Sequence, residues 1–311
     1  MKKIITLLVV VGLLSTGYYG LGQVYKQQMY NGAMAFEASM SELSEKTVAI
    51  SVGDISYFEN EHAGNKPSIL LIHGFGAYKE NWVRFARPFK DDFHVVVIDL
   101  PAHGKSVKDM SLNYSLSNQV GWVHEFVQAI DLKRFHLAGN SMGGAISAVY
   151  ASQYPQHVFT ATLIDPAGIH DHRSVMEDLL DKGDNPLVVE DTASFKRLMN
   201  FALEQPPFIP WPLTVVSAER AIKLKPLHDK LFDDMRVGHG DDFKEVLKNI
   251  SVPTLVQWGE QDRVINYKNI EAFTALIPNA KGHVWPNVGH APMIEIPQES
   301  AKMMLAHMHT H

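Results

Sequence analysis

The chain has 311 residues, 46% of them hydrophobic, which is enough to bury a large core in one main domain. The formal net charge is −6, and acidic and basic residues are mixed along the chain, so nucleic acid is excluded as a partner. The sequence contains no cysteine, which excludes disulfides, thiolate catalysis and cysteine metal sites. Of the sixteen histidines, we interpret the C-terminal His307, His309 and His311 as a frayed tail, and no metal or cofactor is expected.

The N-terminal segment is too apolar to belong to the globular fold. Two lysines precede the apolar stretch Ile4 to Leu14, which continues in diluted form to Val24. Its length lies between a signal-peptide core of about 7 to 15 residues and a spanning helix of about 20. We assign residues 1–25 to a signal peptide or membrane anchor and favour the anchor, with the rest of the chain exported to the periplasm or exterior. The alternative is secretion after cleavage near Ser15-x-Gly17 or Ala33-Met34-Ala35.

The globular part begins with alternating apolar residues. Val48, Ile50 and Val52 alternate with other residues before Gly53-Asp54, and a second apolar segment follows. This pattern predicts a β-hairpin with a turn that contains the aspartate.

Short, wholly apolar runs then recur along the chain, separated by helical patterns such as Ser117 to Ile130. Runs without alternation are typical of strands that are covered on both faces, so the repeated strand and helix predict an α/β fold with a mostly parallel sheet. The predicted strands are Ser68–Ile72, His94–Ile98, Phe135–Ala138, Thr162–Ile164, Thr254–Trp258 and His283–Trp285.

The alternation of strand and helix patterns stops between about Gly168 and Asp241. The region has short helical patterns and the proline-rich stretch Gln205 to Pro212, whose prolines space helices apart. We therefore predict a helical cap at residues 168–241, inserted into a core formed by residues 45–167 and 242–311.

One serine follows the third of the apolar runs. The sequence Gly139-x-Ser141-x-Gly143 lies between a strand that ends at Ala138 and a helix predicted from Gly144 to Tyr154. Strand, sharp turn and helix are typical of a nucleophile elbow, in which only glycine-sized neighbours fit around a strained serine. The serine would then stand at a helix N-terminus, which favours developing negative charge.

A serine nucleophile needs a base and an acid that orients the base. His290 follows the last predicted strand, and Asp262 follows the strand before it, so that serine, aspartate and histidine have the chain order of this kind of site. Glu260 lies beside Asp262 and is an alternative acid, as is Asp165, which ends an earlier strand.

The oxyanion of the reaction needs amide donors. Met142 supplies the amide directly after the nucleophile, and the loop after the first parallel strand, His73-Gly74-Phe75-Gly76, supplies a second one, for which we choose Phe75. His73 is interpreted as a brace for this loop and not as a second base.

Together these motifs resemble the α/β-hydrolase family from about Thr47 to the C-terminus. That resemblance implies carboxylic ester hydrolysis without a cofactor, and it implies that Asp99 fixes a loop outside the triad. Cap segments such as Asn185-Pro186-Leu187 are similar to those of cold-adapted bacterial lipases and, more distantly, of membrane-anchored monoacylglycerol lipases. The motifs are His73-Gly74-Phe75-Gly76, Asp99 to Ser106, Gly139 to Gly144, Asp262 and Gly289-His290.

Three other kinds of function are weighed against an esterase. The region Gly139 to Gly144 also resembles carbon-carbon bond hydrolases of the meta-cleavage type, but these usually carry a tryptophan after the catalytic histidine, where this chain has Ala291. Dehalogenases and epoxide hydrolases of this fold use an aspartate nucleophile, and residue 141 is a serine. A non-catalytic sensor would need none of the predicted catalytic residues.

The expected substrate is a small lipid or ester, such as a monoacylglycerol. The cap offers more apolar surface than a polar substrate requires, and ligand pockets are mostly apolar. The predicted substrate-binding residues are Phe75, Met199, Phe208 and Trp211, from an apolar set that also includes Phe195, Leu198, Phe201, Leu203 and Ile209.

Overall fold

A computed structural model describes residues 2–60, 66–236 and 241–311, with side chains described from residue 20 onward and outside positions 236 and 241. The N-terminal assignment to residues 1–25 therefore falls largely on side chains outside the described set.

Eight strands form one sheet in the order β1-β2-β4-β3-β5-β6-β7-β8. The two pairings that involve β2 are antiparallel, and β4, β3, β5, β6, β7 and β8 pair in parallel, which confirms the predicted α/β class. The strands are β1 (Ser44–Ile50), β2 (Gly53–Glu59), β3 (Ser68–Ile72), β4 (His94–Ile98), β5 (Phe135–Asn140), β6 (Val158–Ile164), β7 (Thr254–Gly259) and β8 (Ala280–Trp285).

The predicted hairpin is present, but its turn is not where we placed it. Ile50 pairs with Gly53, so the two-residue turn is Ser51-Val52, and Asp54 lies in β2 opposite Ala49. Gly53, with φ of +130°, supplies the backbone conformation that closes this turn, because that region of φ is open chiefly to glycine. The prediction of an aspartate-containing turn is therefore wrong.

Helices cover both faces of the sheet among the described residues. They are α1 (Lys2–Met40), α2 (Val83–Ala86), α3 (Leu116–Ala129), α4 (Met142–Gln153), α5 (Val175–Leu180), α6 (Thr192–Ala202), α7 (Leu213–Lys223), α8 (Lys225–Arg236), α9 (Asp241–Lys248), α10 (Ile270–Leu276), α11 (Pro292–Glu295) and α12 (Pro297–Met308).

Successive residues of the central strands point to opposite faces of the sheet, and each face has its own hydrophobic cluster. Leu70 and Ile72 pack with α3, α4, α9 and α10, whereas Ile69 and Leu71 pack with α2, α12 and the end of α1. All four side chains are fully buried. This two-sided burial explains why the strands read as continuous apolar runs.

Five helices, α5 to α9, lie between β6 and β7, and the described residues of this region include no strand. Phe243 and Leu247 of α9 belong to the hydrophobic cluster of the core. The remaining helices, α5 to α8, occupy the stretch for which we predicted a cap, and the predicted boundaries at 168 and 241 stay a prediction.

The described part of α1 and the last helix, α12, both pack against the fold. Tyr30 of α1 is 6% exposed and packs with Leu213 and Val216 of α7. At the other end, His307 is 6% exposed within α12, so the interpretation of this residue as part of a frayed tail is wrong: the apolar face of α12 packs on the sheet and carries it inward. In the part of the chain that the structure describes, no helix has the length and hydrophobicity needed to cross a membrane.

Candidate active site

Ser141 occupies a sharp turn between β5 and α4. Its φ is +55° and its ψ is −118°, a backbone conformation that costs a side-chain-bearing residue free energy. A Cβ at Gly143 would lie 2.3 Å from the carbonyl oxygen of Ile72, and one at Gly139 would lie 2.1 Å from that of Gly143. The glycines therefore allow the helix to start directly against the strands, which confirms the predicted strand, turn and helix.

His290 and Asp262 form a buried hydrogen-bonded pair. Nδ1 of His290 lies 2.7 Å from Oδ2 of Asp262, and the two residues are 7% and 8% exposed. The indole nitrogen of Trp258 donates to the same carboxylate oxygen at 3.1 Å. The other oxygen of Asp262 accepts the amides of Val264 and Ile265 at 2.8 and 3.0 Å. Four hydrogen bonds thus fix the direction of one carboxylate toward His290.

The two alternative acids are placed differently. Asp165 is fully buried and accepts one amide, from Gly259, at 2.9 Å. Burial first, and then the neighbouring charge of Asp262, raise the pKa of Asp165 well above its usual range. Glu260 is exposed, and Gln261 donates to it. The structure therefore pairs His290 with Asp262, while the catalytic role of this pair stays a prediction.

Among the described residues, Asp165, Asp262 and His290 are the cluster whose potential ligand atoms lie close enough together, within 4.8 Å, to hold a metal ion. The donor set does not fit one. His290 and Asp262 already use atoms of the set on each other, and burial raises the pKa of Asp165, which disfavours the ionised form that a metal would bind.

Hydrogen bonds to backbone carbonyls hold the loops of Ser141 and His290 in place. The side chain of Asn140 donates to the carbonyl of His290 at 3.0 Å, and the amide of Ser141 donates to the carbonyl of Ile164 at 2.9 Å. The amide of His290 donates to the carbonyl of Ala202 at 2.7 Å, which connects the same loop to the end of α6. Sequence reasoning missed Asn140, although its position beside the serine was a usable signal.

A second residue that the sequence did not single out is Glu295. Its carboxylate accepts the amides of Gly289, Glu204 and Gln205 at 2.8, 2.9 and 2.6 Å. It therefore ties the histidine loop to the segment after α6. No local pattern indicates this, because the amides of Glu204 and Gln205 come from a part of the chain that is far from Glu295 in sequence.

The loop after β3 lies against the nucleophile. A Cβ at Gly74 would lie 3.0 Å from the Cβ of Ser141, so the residue before Phe75 directly adjoins the predicted nucleophile. The amide of Met142 is in the first turn of α4, where helix geometry leaves N–H groups without a carbonyl partner inside the helix. The use of the Phe75 and Met142 amides as oxyanion donors stays a prediction.

Two buried histidines brace this loop. His73 accepts the amide of Leu100 at 3.0 Å and lies 2.7 Å from the carbonyl of Gly74, so its Nδ1 is the protonated nitrogen. His103 accepts the amide of Gly76 at 3.2 Å and donates to the carbonyl of Pro101 at 3.0 Å. Burial lowers the pKa of both imidazoles, which keeps them neutral. The predicted bracing role of His73 is confirmed.

Asp99 fixes the adjoining loop, as expected. It accepts the backbone amide of Lys79 at 2.8 Å and the Lys79 ammonium at 2.7 Å, and both side chains are fully buried. It also accepts the amide of Lys105 at 2.9 Å. A Cβ at Gly104 would lie 2.0 Å from this carboxylate, which explains the glycine at that position.

The predicted substrate-binding residues lie in the loop after β3 and in the segment between β6 and β7. Phe75 is half-buried, and its ring lies 5.4 Å from that of His228 in α8. Met199 is half-buried against the hydrophobic cluster that contains Ile69 and Leu71. Phe208 is 88% exposed, and the ring of Trp211 lies against Gly22 of α1. Substrate binding by these four residues stays a prediction. No sequence pattern had indicated His228.

Another serine lies beside a histidine at the opposite end of the central strands from Ser141. Ser68 and His94 are 3.2 Å apart at the amino ends of β3 and β4, and His94 in turn lies 3.2 Å from Glu59. Ser68 is in regular strand geometry, with no turn and no helix N-terminus after it, so this place offers no free amides for an oxyanion. We interpret this set as structural.

The sequence matches a model of the α/β-hydrolase fold family over residues 67–297. This span covers more than half of the chain, and the chain belongs to the α/β-hydrolase fold family. Lipase 1 of Psychrobacter immobilis is 34% identical over 271 residues, which are 86% of this chain and 84% of that lipase.

One further relative and one solved structure are also similar to this chain. Monoacylglycerol lipase abhd6-B of Xenopus laevis is 32% identical over 254 residues, or 78% of this chain and 75% of that protein. The crystal structure of a membrane phospholipase A, described as a bacterial virulence factor, is 35% identical with a TM-score of 0.90 and covers 100% of this chain and 99% of its own. The expected class, an α/β hydrolase of the lipase and esterase type that acts on carboxylic esters, is thereby confirmed.

Proposed function

We propose that this chain is a serine lipase or esterase that cleaves a carboxylic ester of a lipid through an acyl-enzyme, with Ser141, His290 and Asp262 as its triad. One observation carries the proposal: the 2.7 Å contact between Nδ1 of His290 and Oδ2 of Asp262, in a loop that Asn140 ties to the strained turn of Ser141. Since Nδ1 is bound to Asp262, Nε2 of His290 is the ring nitrogen that remains to accept the proton of the serine.

The proposed cycle follows from these positions. The hydroxyl of Ser141 attacks the acyl carbon while Nε2 of His290 takes its proton, and the amides of Phe75 and Met142 stabilise the tetrahedral anion. His290 then protonates the leaving alcohol. Water, activated by the same nitrogen, attacks the acyl-enzyme and releases the acid. Asp262 stabilises the imidazolium in both steps without taking the proton.

The substrate proposed here is a monoacylglycerol or a medium-chain ester. Its support is the similarity to relatives named lipase and monoacylglycerol lipase, together with the apolar residues of the segment between β6 and β7. A carbon-carbon bond hydrolase and a non-catalytic sensor remain outcomes of the test below.

Hydrolysis of p-nitrophenyl esters of increasing chain length tests the proposal. We expect Ser141→Ala to lower turnover by about 10⁶, as loss of a nucleophile does in a related triad. Ser68→Ala is the matched control, because Ser68 also contacts a histidine but lies at the other end of the central strands, and its activity should stay at the wild-type level. Activity in Ser141→Ala would contradict the nucleophile. A wild-type protein that cleaves no ester would instead favour the carbon-carbon hydrolase or the sensor.

We also propose that residues 1–25 attach the protein to the cytoplasmic membrane, with the remainder exported. The support is the pair of lysines before the apolar stretch, since positive charge favours the cytoplasmic side. Cleavage at Ala33-Met34-Ala35 would cut α1 where Ala33 and Met34 pack beside Tyr30 and α7. N-terminal sequencing of the protein in the membrane fraction tests this, because a cleaved and secreted form would begin after the apolar stretch.

A further inference from the structure

His228 of α8 is a buried polar residue that the proposed cycle does not use. It is 2% exposed, and among the residues that the structure describes its Nε2 has no hydrogen-bond partner. Buried polar atoms in folded proteins nearly always have a partner, and leaving one without costs stability. A leucine or phenylalanine would fill the same space without that cost, so packing alone does not explain an imidazole here.

The position of His228 connects it to the oxyanion loop. Its ring lies 5.4 Å from the ring of Phe75 and stacks at 5.9 Å on His103, the imidazole that holds the amide of Gly76. Its Cε1 is 4.0 Å from the place that a Cβ at Gly76 would occupy. The unpartnered nitrogen therefore lies beside the loop that, in the proposed reaction, binds the substrate.

The charge state of His228 limits which kind of group could form a hydrogen bond with its Nε2. Burial lowers the pKa of this imidazole to about 4, so at neutral pH the ring is uncharged and offers one N–H donor and one acceptor. The nearby ammonium of Lys108 is bound to the carbonyls of Gly104 and Ser106 at 2.6 and 2.9 Å. An uncharged imidazole is suited to a neutral hydroxyl, whereas a phosphate would be better met by a free cation.

A fatty acyl ester has few polar atoms that could meet this nitrogen. The acyl chain has none, the carbonyl oxygen that becomes the oxyanion is the partner of the Phe75 and Met142 amides, and the bridging ester oxygen receives its proton from His290 in the proposed cycle. The alcohol half is what remains. Resting on the ester hydrolysis proposed above, we infer that His228 is a specificity-determining residue that hydrogen-bonds a free hydroxyl on the alcohol half of the substrate, so that polyol esters are preferred over esters of simple alkanols.

The test compares three substrates with the same acyl chain, namely a monoacylglycerol, the methyl ester and a lysophospholipid, with the full-length protein in one detergent. In His228→Phe we expect kcat/KM for the monoacylglycerol to fall about 10- to 100-fold, the loss typical of a buried hydrogen bond, and the methyl ester to be unaffected. His228→Gln, which keeps a donor and an acceptor, should retain part of the preference. His307→Phe removes a buried histidine of α12 and is the matched control, for which the ratio of the two rates should not change.

Three results would overturn the inference. Equal losses on the monoacylglycerol and the methyl ester would mean that His228 only supports the loop, and no loss on either would mean that it contacts no substrate. A loss confined to the lysophospholipid would assign the nitrogen to phosphate instead. These outcomes differ from failure of the proposed function itself, in which the wild-type protein would cleave none of the three esters.

Discussion

At the level of single residues, two carboxyl groups lie near His290, and their hydrogen-bonding surroundings differ. Asp262 receives four hydrogen bonds from Trp258, Val264, Ile265 and His290, whereas Asp165 receives one amide and is fully buried. Two adjacent buried carboxyl groups do not readily ionise together. Burial and the neighbouring Asp262 raise the pKa of Asp165 well above its usual range, so Asp165 is the less suited of the two to carry a negative charge.

This difference predicts the effects of isosteric substitutions. Asp262→Asn should lower kcat by about 10⁴, the loss seen when the orienting acid of a serine triad is replaced. Asp165→Asn should keep activity near the wild-type level at neutral pH, because an amide can still accept the Gly259 N–H and is uncharged, like the protonated acid. Steady-state rates on one ester at pH 7 measure both.

Glu260→Gln is the control for these variants, since Glu260 is exposed and its loss should change nothing. If Asp165→Asn lost as much activity as Asp262→Asn, or if Asp262→Asn were fully active, the assignment of the acid would be wrong.

At the level of elements, α1 is joined to the region between β6 and β7 by several contacts. Lys26 forms an ion pair with Glu219 of α7, and the guanidinium of Arg220 lies 5.0 Å from the ring of Tyr30. Gly22 is buried against the ring of Trp211, where a Cβ would lie 2.3 Å from the nearest ring atom. The described half of α1 is thus part of the packed structure and not a separate tether.

We predict that Gly22→Ala lowers the unfolding temperature and increases proteolysis of α1, because the added methyl group displaces Trp211. Gly32→Ala is a matched control in the same helix, since nothing lies within 4 Å of a Cβ there. It should raise helix stability by about 0.5 to 1 kcal/mol, the usual gain for glycine to alanine in a helix interior. Thermal unfolding and limited proteolysis measure both changes; equal behaviour of the two variants would contradict the contact between α1 and Trp211.

At the level of the whole molecule, several buried histidines make stability depend on pH. Burial lowers the pKa of His136 and His228 to about 4, and it also lowers the pKa of His73, His103 and His307. In the unfolded chain a histidine titrates near pH 6.5. The unfolded state therefore binds more protons, and the stability present above pH 6.5 is lost as the pH falls toward 4.

We predict a decrease in the free energy of unfolding between pH 6.5 and pH 4.5, measured by urea denaturation. His228→Gln should reduce the slope by up to about 1.4 kcal/mol per pH unit, the contribution of one proton. The raised pKa of Asp165 acts in the opposite direction, because its folded form keeps a proton that the unfolded form loses as the pH rises. A wild-type stability that does not change over this interval would contradict the neutral state of the buried histidines.

The sequence by itself determined the features that arise from neighbouring residues. The apolar runs predicted strands buried on both faces, and Ser68–Ile72 and His94–Ile98 have the expected bounds. The spacing of Gly139, Ser141 and Gly143 predicted the turn, because the steric requirement that selects glycine is local.

Only the tertiary structure decided the features that join distant segments. It paired His290 with Asp262 rather than with Glu260 or Asp165, placed His228 of α8 against Phe75, and packed α1 against α7. It also buried His307, where the sequence predicted a frayed end. These outcomes depend on which surfaces and hydrogen-bonding groups meet when the chain closes, and no pattern within a single segment contains that information.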